Sequence, residues 1–594
     1  MSESSAAAHV EHHRERFLRH YIFSTDHKMI GRQFLFAGLA MLVIGGLLAM
    51  MVRWQLGYPE QPLPMTSMFS EDFWEGGSWF AETVPYGVIT SEFYNSLFTM
   101  HATIMIFFVV MPIMIGAFGN FLIPISIGAR DMAFPVLNML SFWTAVPAFI
   151  LIVLSFFVPG GAAGGGWTSY APLAAVPEFS GVEGPWGVNL WLISLFILSF
   201  SSLMGSINYI TTLINMRAPG MTWFRLPLFI WSLFIVAILL LLALPVLTSG
   251  LAMMFFDRMF GTYFFLPEGG GEPLLWQHIF WFFGHPEVYV LVLPAMGVTS
   301  EILPVFARKP IFGYRAMAYA MISLAFLSWV VWGHHMFQSG MNPALGTAFT
   351  LTTMFIAVPS AIKTFNWLGT LWGGSIRFTS PMLFALGFVF LFSIGGLSGL
   401  LMASTPVDIF IHDTYYIVAH IHYVVAGIIF GIFAGIYFWF PKMFGRMMKE
   451  GLGKVHFFLT FVFFNLTFFP MHFLGVGGHM RRIYNPLHYE FLEPFQGMNT
   501  FITVMALCLG ASQIFFVINF VWSLFWGRRA PENPWQANTL EWDAPSPPPH
   551  GNFITTPTVY RGPYEYSSPE VEEDWLPQSR YLETAAGGAT GGGH

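Results

Sequence analysis

The chain has 594 residues, of which 55% are hydrophobic and only 10% are Asp, Glu, Lys or Arg. This composition excludes an ordinary soluble globular protein and is typical of polytopic membrane proteins. The net charge of −7 carries little information, and the single cysteine, Cys508, excludes an intrachain disulfide, a thiolate-held iron–sulfur cluster and a CxxCH haem attachment within this chain.

Apolar segments long enough to cross a bilayer follow one another along the chain. A spanning helix needs about 20 apolar residues, and residues 1–30 are polar and rich in His and Arg, unlike a cleaved signal peptide. We therefore expect an all-α polytopic membrane protein with about twelve transmembrane helices. They are predicted over 31–53, 95–123, 136–158, 188–216, 224–255, 276–303, 311–337, 343–369, 381–403, 414–440, 455–476 and 497–526.

The distribution of Lys and Arg predicts the orientation of these spans. An even number of spans places both termini on one side, and the basic residues cluster at the N-terminus and in the loops after even-numbered spans. The opposite loops hold only Arg53, Arg258, Arg481 and Arg482. Both termini are therefore expected in the cytoplasm. On the other side, the acidic loop 54–94 and the Gly-rich loop 159–187 would suit a cationic partner, or are simply solvated surface.

This pattern divides the chain into three parts. Residues 1–30 are predicted to form a cytoplasmic N-terminal segment, 31–527 the twelve-helix domain, and 528–594 a Pro/Gly-rich cytoplasmic tail. We expect the tail to be extended and irregular, either an arm along neighbouring subunits or a disordered segment.

Six histidines lie inside the apolar segments, namely His101, His285, His334, His335, His420 and His422. An ionisable side chain at bilayer depth is costly and usually functional. Imidazole is a common ligand of copper and haem iron. The six histidines therefore indicate a redox enzyme buried in a membrane.

The sixth and seventh segments predict a copper site. On an α-helix His285 and Tyr289 share a face, whereas Glu287 points to nearly the opposite side. The adjacent pair His334 and His335 diverges by about 100° on a regular helix, so both can bind one metal only at an irregular helix end. Together with His285 they would form a three-imidazole site with an open position.

The tenth segment predicts two separate ligands. His420 and His422 lie about 200° apart around a helix, so they cannot share a metal but can each hold a group on opposite sides. His101 in the second segment is then a candidate sixth ligand of one haem, or a hydrogen-bonded core histidine.

Three stretches together resemble subunit I of the haem–copper oxygen reductases, the cytochrome oxidase type. They are Trp-Phe-Phe-Gly-His-Pro-Glu-Val-Tyr (281–289), Gly-His-His-Met-Phe (333–337) and His-Asp-Thr-Tyr-Tyr-Ile-Val-Ala-His-Ile-His-Tyr (412–423). The likeness runs from the Phe-Ser-Thr-Asp-His-Lys stretch at 23–28 to about Gly527.

The resemblance implies two haems, of which haem A is the expected type, copper B and Mg²⁺. It implies that His101 and His422 are the axial ligands of the low-spin haem, His420 the ligand of the high-spin haem, and His285, His334 and His335 the copper ligands. Tyr289 resembles the family tyrosine that is covalently bonded to the copper ligand His285 and supplies an electron and a proton. Arg481 and Arg482 match the pair that anchors haem propionates, Arg53 and Trp167 further haem-environment residues, and His412 and Asp413 this subunit's part of the magnesium site.

The resemblance also implies two routes for protons. Asn120, Asp131 and Asn138 match the D pathway, which leads to a glutamate at the position of Glu287. Lys363, with Ser300 and Tyr289, matches the K pathway. The chain departs from the family pattern around Asp131, where Arg130 and Val136 stand at positions at which Pro and Arg are expected in many relatives. We expect the Arg130 guanidinium to lower the pKa of Asp131.

The function implied is the catalytic subunit of a terminal oxidase that reduces O2 to water with four electrons from cytochrome c, coupled to proton translocation. The expected partners are subunit II with the electron-accepting copper centre, subunit III, cytochrome c, O2 and membrane lipid, without nucleic acid, in a bacterial plasma membrane. Quinol remains the alternative donor. Tyr289, Lys363 and Asp131 argue against a nitric oxide reductase. A transporter leaves the paired histidines unexplained, and a purely structural subunit would not repay the cost of so many intramembrane ionisable groups.

Overall fold

The computed structural model of the protein describes residues 17–64, 66–177 and 186–582. Residues 1–16 of the N-terminal segment, 178–185 of the Gly-rich loop and 583–594 of the tail lie outside the described residues. Within these described ranges, twelve apolar helices follow the order expected from the sequence. They are α1 His27–Gly57, α2 Ser91–Ile127, α3 Pro135–Leu154, α4 Trp186–Asn215, α5 Leu228–Phe260, α6 Pro273–Ala307, α7 Tyr314–Leu327, α8 Pro343–Leu371, α9 Ser380–Met402, α10 Tyr415–Phe444, α11 Glu450–Val476 and α12 Gln496–Trp526.

Eleven of these helices in the described part of the chain are long and apolar enough to cross a membrane, and α7 is the exception. Its α-helical part ends at Leu327, and the chain continues through the 3₁₀ turns Ser328–Val330 and Trp332–Met336. The second turn carries His334 and His335. The irregular helix end that joint metal binding requires is therefore present.

The helices pack mainly against their neighbours in sequence. Contacts join α3 to α4, α4 to α5, α5 to α6, α9 to α10 and α11 to α12, while α12 closes back on α1. Helix α6 lies inside the bundle against α5 and α10, and the most apolar stretch of α6 is completely buried. The ionisable residues of α6 therefore face protein rather than lipid.

Helix α2 is irregular in its middle. Two π-helical stretches, Ile104–Val110 and Pro112–Ala117, separate the α-helical part that carries His101 from the part that carries Asn120. Proline cannot donate a backbone hydrogen bond, and π-helical turns often occur at functional sites. The irregular stretch changes the direction in which side chains after it point around the helix axis, relative to side chains before it.

Outside the bundle, the acidic loop contains the short helices Glu71–Glu75 and Trp79–Thr83, and Thr405–Ile411 precedes α10. Residues 527–582, called the arm below, are mostly irregular, as expected. They are not disordered, because Trp542, Tyr566 and Leu576 are fully buried against the chain itself. The described arm therefore packs on its own helices.

Candidate metal and haem centre

Three imidazoles meet where α6 passes the irregular end of α7. The candidate ligand atoms of His285, His334 and His335 all lie within 4.8 Å of one another. Nδ1 of His285 is 3.1 Å from Nε2 of His334, and Nε2 of His335 is buried without a hydrogen-bond partner among the described residues. Metal–imidazole bonds are ~2 Å long, so one ion fits between these atoms. The donor set suits copper.

Neighbouring side chains orient two of the three rings. Nδ1 of His334 lies 2.9 Å from Oγ1 of Thr353, which orients the His334 ring with Nε2 inward. The indole of Trp281 stacks on His335, with ring centroids 3.7 Å apart, and its Nε1 donates to the Tyr170 hydroxyl at 2.6 Å. These contacts hold the two imidazoles in place before any metal binds.

Tyr289 lies beside this cluster, as its spacing from His285 predicts. The two rings have centroids 4.9 Å apart, and Tyr289 is buried. A phenol in this position could supply a hydrogen atom to chemistry at a metal held by the three imidazoles.

His101 and His422 face each other across a gap. Their rings are parallel within 3° and their centroids are 6.3 Å apart. Nδ1 of His101 donates to the Gly45 carbonyl at 2.8 Å and Nδ1 of His422 to the Val418 carbonyl at 2.7 Å. Each ring therefore keeps the lone pair of Nε2. Two bonds of ~2 Å from such nitrogens to one iron fit this separation, and the pair fits a six-coordinate haem.

His420 faces away from His422, towards α9. Its Nδ1 lies 3.0 Å from Oγ of Ser398, and a side chain at Gly399 would come within 2.9 Å of its ring. The hydrogen bond orients the ring, and the glycine leaves it space. His420 can hold a second haem without sharing the first.

A charged cluster lies near the ends of α10 and α11. Nε of Arg481 donates to Oδ1 of Asp413 at 2.6 Å, and His412 lies 3.6 Å from the Asp413 carboxylate and 3.7 Å from Asp408. Burial raises the pKa of Asp413, but the Arg481 guanidinium and His412 outweigh it, so the pKa stays below its usual value. The predicted propionate anchor and the predicted magnesium ligands thus form one network.

Arg482, the second of the two arginines, is partly buried. Burial first, and the charge of Arg481 second, lower the pKa of Arg482 to about 10. A side chain at Gly166, whose φ is +81°, would come within 3.0 Å of this guanidinium. A buried guanidinium of this kind suits a carboxylate partner such as a haem propionate.

Arg53 and Trp167, also predicted in the haem environment, lie in separate surroundings. Arg53 donates to the Asn499 carbonyl at 3.0 Å and to Oγ1 of Thr503 at 3.2 Å, and its Nε and Nη1 are buried without partners among the described residues. Trp167 packs edge-on against Trp281, with centroids 5.8 Å apart. Trp167 therefore adjoins the three-imidazole cluster.

Glu287 and the predicted asparagines are buried polar groups with few partners. Both carboxyl oxygens of Glu287 and both amide atoms of Asn138 lack hydrogen bonds among the described residues, and so does Oδ1 of Asn120. Buried polar groups normally have a partner, so these atoms mark positions where water or a transferred proton can be held.

Asp131 lies in the loop between α2 and α3, outside the membrane-spanning segments. Burial, together with the charge of Asp26, raises the pKa of Asp131 to about 6, while the backbone N–H of Met132 and the charges of Lys28 and His550 partly oppose this. The predicted lowering by Arg130 is wrong, because the Arg130 side chain is exposed and burial dominates.

Lys363 is fully buried in α8, and its Nζ has no hydrogen bond among the described residues. The ammonium lies 5.3 Å from the Trp367 ring, whose Nε1 donates to Oγ of Ser300 at 2.9 Å. The structure thus brings Lys363 and Ser300 together through Trp367. Tyr289 lies eleven residues before Ser300 on α6, roughly 16 Å along the helix.

Several neighbours were missed by the sequence reasoning. Trp281 stands four residues before His285, so helical spacing could have revealed it. Asn208 on α4 accepts from the backbone N–H of Phe134 at 3.0 Å and donates to its carbonyl at 3.2 Å, and Oγ of Ser201 donates to the Ser141 carbonyl at 2.6 Å. These two residues extend the polar line from Asp131 and Asn138, and no local pattern marks them.

Comparisons with known proteins agree with this arrangement. The family model described as "Cytochrome C and Quinol oxidase polypeptide I" matches residues 29–510. The chain is 45% identical to cytochrome c oxidase subunit 1 of Synechocystis sp. over 98% of both chains. It is 44% identical to cytochrome c oxidase subunit 1 of Cereibacter sphaeroides, covering 94% of this chain and 98% of the relative. It is 43% identical to the alternative cytochrome c oxidase subunit 1 of Bradyrhizobium diazoefficiens, covering 97% and 95%.

A solved structure shares the fold. The cryo-EM structure of a heme-copper terminal oxidase dimer superimposes with a TM-score of 0.67 at 18% identity, covering 85% of each chain. The relatives named above make this chain an oxidoreductase and an integral membrane protein whose family implies haems and copper B. The chain belongs to the cytochrome c and quinol oxidase polypeptide I family, as a subunit I of the haem–copper oxidases.

Proposed function

We propose that this chain is the catalytic subunit of a terminal oxidase that reduces O2 to water with electrons from cytochrome c and translocates protons. The observation that carries the proposal is the buried three-imidazole cluster of His285, His334 and His335 next to Tyr289. Cytochrome c as the electron donor is supported by the names of relatives that are 43–45% identical to this chain along nearly its whole length. The family description also includes quinol oxidases, so quinol remains the alternative.

Each buried histidine has a proposed role. His285, His334 and His335 hold copper B, His101 and His422 hold the low-spin haem, and His420 holds the high-spin haem. When bound, these groups supply the redox chemistry on O2. Arg481 and Arg482 neutralise propionates, with Arg53 and Trp167 as further haem neighbours. His412 and Asp413 hold Mg²⁺ together with subunit II.

Protons are proposed to reach the centre through this chain's own side chains. Asp131 takes up a proton at the surface, because a carboxyl with a pKa of about 6 exchanges readily near neutral pH. Asn120 and Asn138 hold water on the way to Glu287, which stores the proton in a site where no described residue hydrogen-bonds to its carboxyl oxygens. Lys363 and Ser300 serve a second route towards Tyr289, whose hydroxyl would supply a hydrogen atom with copper bound by the neighbouring imidazoles.

Further proposals concern the cofactor type, surroundings and topology. We propose haem A, a complex with subunits II and III, and a bacterial plasma membrane with the N-terminal segment (1–30) and the tail (528–594) in the cytoplasm around the helix domain (31–527). The excess of Lys and Arg on that side of the sequence supports the orientation.

The test compares donors in the intact complex reconstituted into vesicles. Reduced cytochrome c should support rapid O2 consumption and acidify the outer medium, and a reduced quinol should support little. Rapid oxidation of quinol without oxidation of cytochrome c would contradict the proposal that cytochrome c is the electron donor. O2 consumption without acidification of the outer medium would contradict proton translocation.

A further inference from the structure

Asn552 of the arm is fully buried although it lies in an irregular segment. Its φ of +66° is a left-handed conformation that asparagine tolerates better than most residues. It lies 525 positions from His27 in the sequence, yet its side chain contacts the beginning of α1. A buried amide in such a backbone conformation indicates a specific set of partners.

The amide of Asn552 uses both of its ends. Its Oδ1 accepts from Nζ of Lys28 at 3.0 Å and lies 3.0 Å from Nε2 of His27. Its Nδ2 donates to the carbonyls of Ala129 at 2.9 Å and Arg130 at 3.2 Å. One side chain therefore ties the start of α1 to the loop that carries Asp131.

Through His27, these contacts reach Asn120, a polar residue inside the helix bundle. Nδ1 of His27 lies 2.7 Å from the backbone carbonyl of Asn120. The His27 ring thus stands between Asn552 and Asn120, beside Asp131. We call the surface formed by Asp26, His27, Lys28, residues 129–131 and His550–Asn552 the uptake mouth.

The charged groups around Asp131 in the uptake mouth stand on α1, on the arm and in the loop of Asp131 itself. Asp26 and Lys28 stand on α1 and form an ion pair at 3.1 Å, His550 stands on the arm 3.4 Å from Asp26, and Arg130 precedes Asp131 in its own loop. If the arm moves away, water reaches Asp131 and the spacing of these charges changes.

We propose that Asn552 is a positioning residue for proton uptake: by joining α1 to the Ala129–Arg130 backbone it fixes the exposure and orientation of Asp131. This inference rests on the proposed role of Asp131. It assigns the arm a part in the reaction, in contrast to a tail that only stabilises the fold.

Two substitutions distinguish the hydrogen bonds of the Asn552 amide oxygen from those of its amide nitrogen. Asn552→Gly removes the side chain while tolerating the positive φ. Asn552→Asp keeps an oxygen acceptor for Lys28 and His27 but loses the donors to Ala129 and Arg130. Ile554→Ala is the matched control, because Ile554 lies two residues away on the arm and is 89% exposed.

The measurement is the rate of proton uptake by the intact reduced complex after mixing with O2, followed with a pH-indicator dye over a range of pH. Asn552→Gly and Asn552→Asp should slow uptake by about tenfold, within the range caused by small misplacements of a reacting group. Haem spectra and the electron-transfer phases that precede proton uptake should be unchanged. Because burial is the main cause of the raised pKa of Asp131, Asn552→Gly should also shift the pH dependence to lower pH.

The controls distinguish the possible failures. Ile554→Ala should behave like the parent chain, and Asp131→Asn should slow uptake more than either Asn552 variant. If Asp131→Asn slows uptake but both Asn552 variants match the parent, the inference about Asn552 is wrong and the role of Asp131 stands. If Asp131→Asn has no effect, the proposed uptake route itself fails. If both Asn552 variants lose haem or fail to assemble, Asn552 is a folding residue and the inference is overturned.

Discussion

The imidazole cluster on α6 and α7 differs from the uptake mouth in how each is assembled. In the cluster, His334 and His335 are adjacent in sequence, and His285 lies 49 positions from His334. In the uptake mouth, His27 and Asn552 stand 525 positions apart. Metal binding demands particular residue types at short spacing, whereas the mouth is built from ordinary polar residues joined by long-range hydrogen bonds. The first site is therefore visible in the sequence and the second only in the fold.

The difference predicts two kinds of failure. Substitutions in the buried centre should change metal or haem content, and substitutions along the proton routes should change rates while the cofactors stay bound. The experiments below test this distinction between loss of cofactor and loss of rate, beginning with the largest expected effect.

His285→Ala should remove copper B and lower O2 reduction by more than ~100-fold, beyond the 10–100-fold typical of lost outer-shell partners. The other two imidazoles, His334 and His335, cannot hold the ion alone. Copper analysis, optical spectra and O2 consumption measure this, and the low-spin haem signal should remain. Normal turnover would refute the ligand assignment.

His422→Ala should abolish the low-spin haem signal, because His101 then has no partner across the 6.3 Å gap. Reduced-minus-oxidised spectra measure the loss. His472→Ala is a comparison within the same part of the bundle, since His472 on α11 donates from Nδ1 to the Phe469 carbonyl and is not a proposed ligand. An unchanged low-spin spectrum in His422→Ala would mean that the two haem assignments are exchanged.

Glu287→Gln should lower turnover by roughly 100-fold, a typical loss for removal of a proton-transferring group, with both haems retained. Glu301→Gln is the matched control on the same helix. Glu301 is also buried, but it accepts from the Tyr564 hydroxyl of the arm at 2.7 Å and is not a proposed proton carrier. Equal loss in both variants would show that any buried glutamate of α6 matters for stability alone.

Asp574→Asn should have the smallest effect. Asp574 lies on the arm, 2.9 Å from Arg377 and 3.6 Å from Arg308, with the Arg377 side chain exposed and that of Asp574 partly exposed. Exposed ion pairs contribute about 0–1 kcal/mol, and Arg308 keeps its bonds to the Trp535 and Gln536 carbonyls. Turnover should be unchanged, and the midpoint of thermal unfolding should change little. A large loss of proton uptake would extend the positioning role to the whole arm.

The sequence predicted those features that depend on local spacing. Eleven of the twelve predicted spans are long and apolar enough to cross a membrane in the described part of the chain. The shared face of His285 and Tyr289, the irregular end at His334 and the opposite faces of His420 and His422 follow from helix geometry, and the fold confirms this geometry. The roles of these residues stay predictions. Features that depend on burial could not be predicted. The pKa of Asp131 rises where Arg130 was expected to lower it, because exposure of a neighbouring charge is set by tertiary packing. Asn208 and Asn552 act through contacts that no local pattern encodes.

The most direct measurement is carbon monoxide binding to the reduced, purified complex, with haem quantified per subunit I. The arrangement of His101, His422 and His420 predicts two haems per chain, of which one binds carbon monoxide and the other, held between two imidazoles, does not. A preparation that consumes O2 but contains no haem, or in which carbon monoxide changes both haem spectra equally, would contradict the assignment.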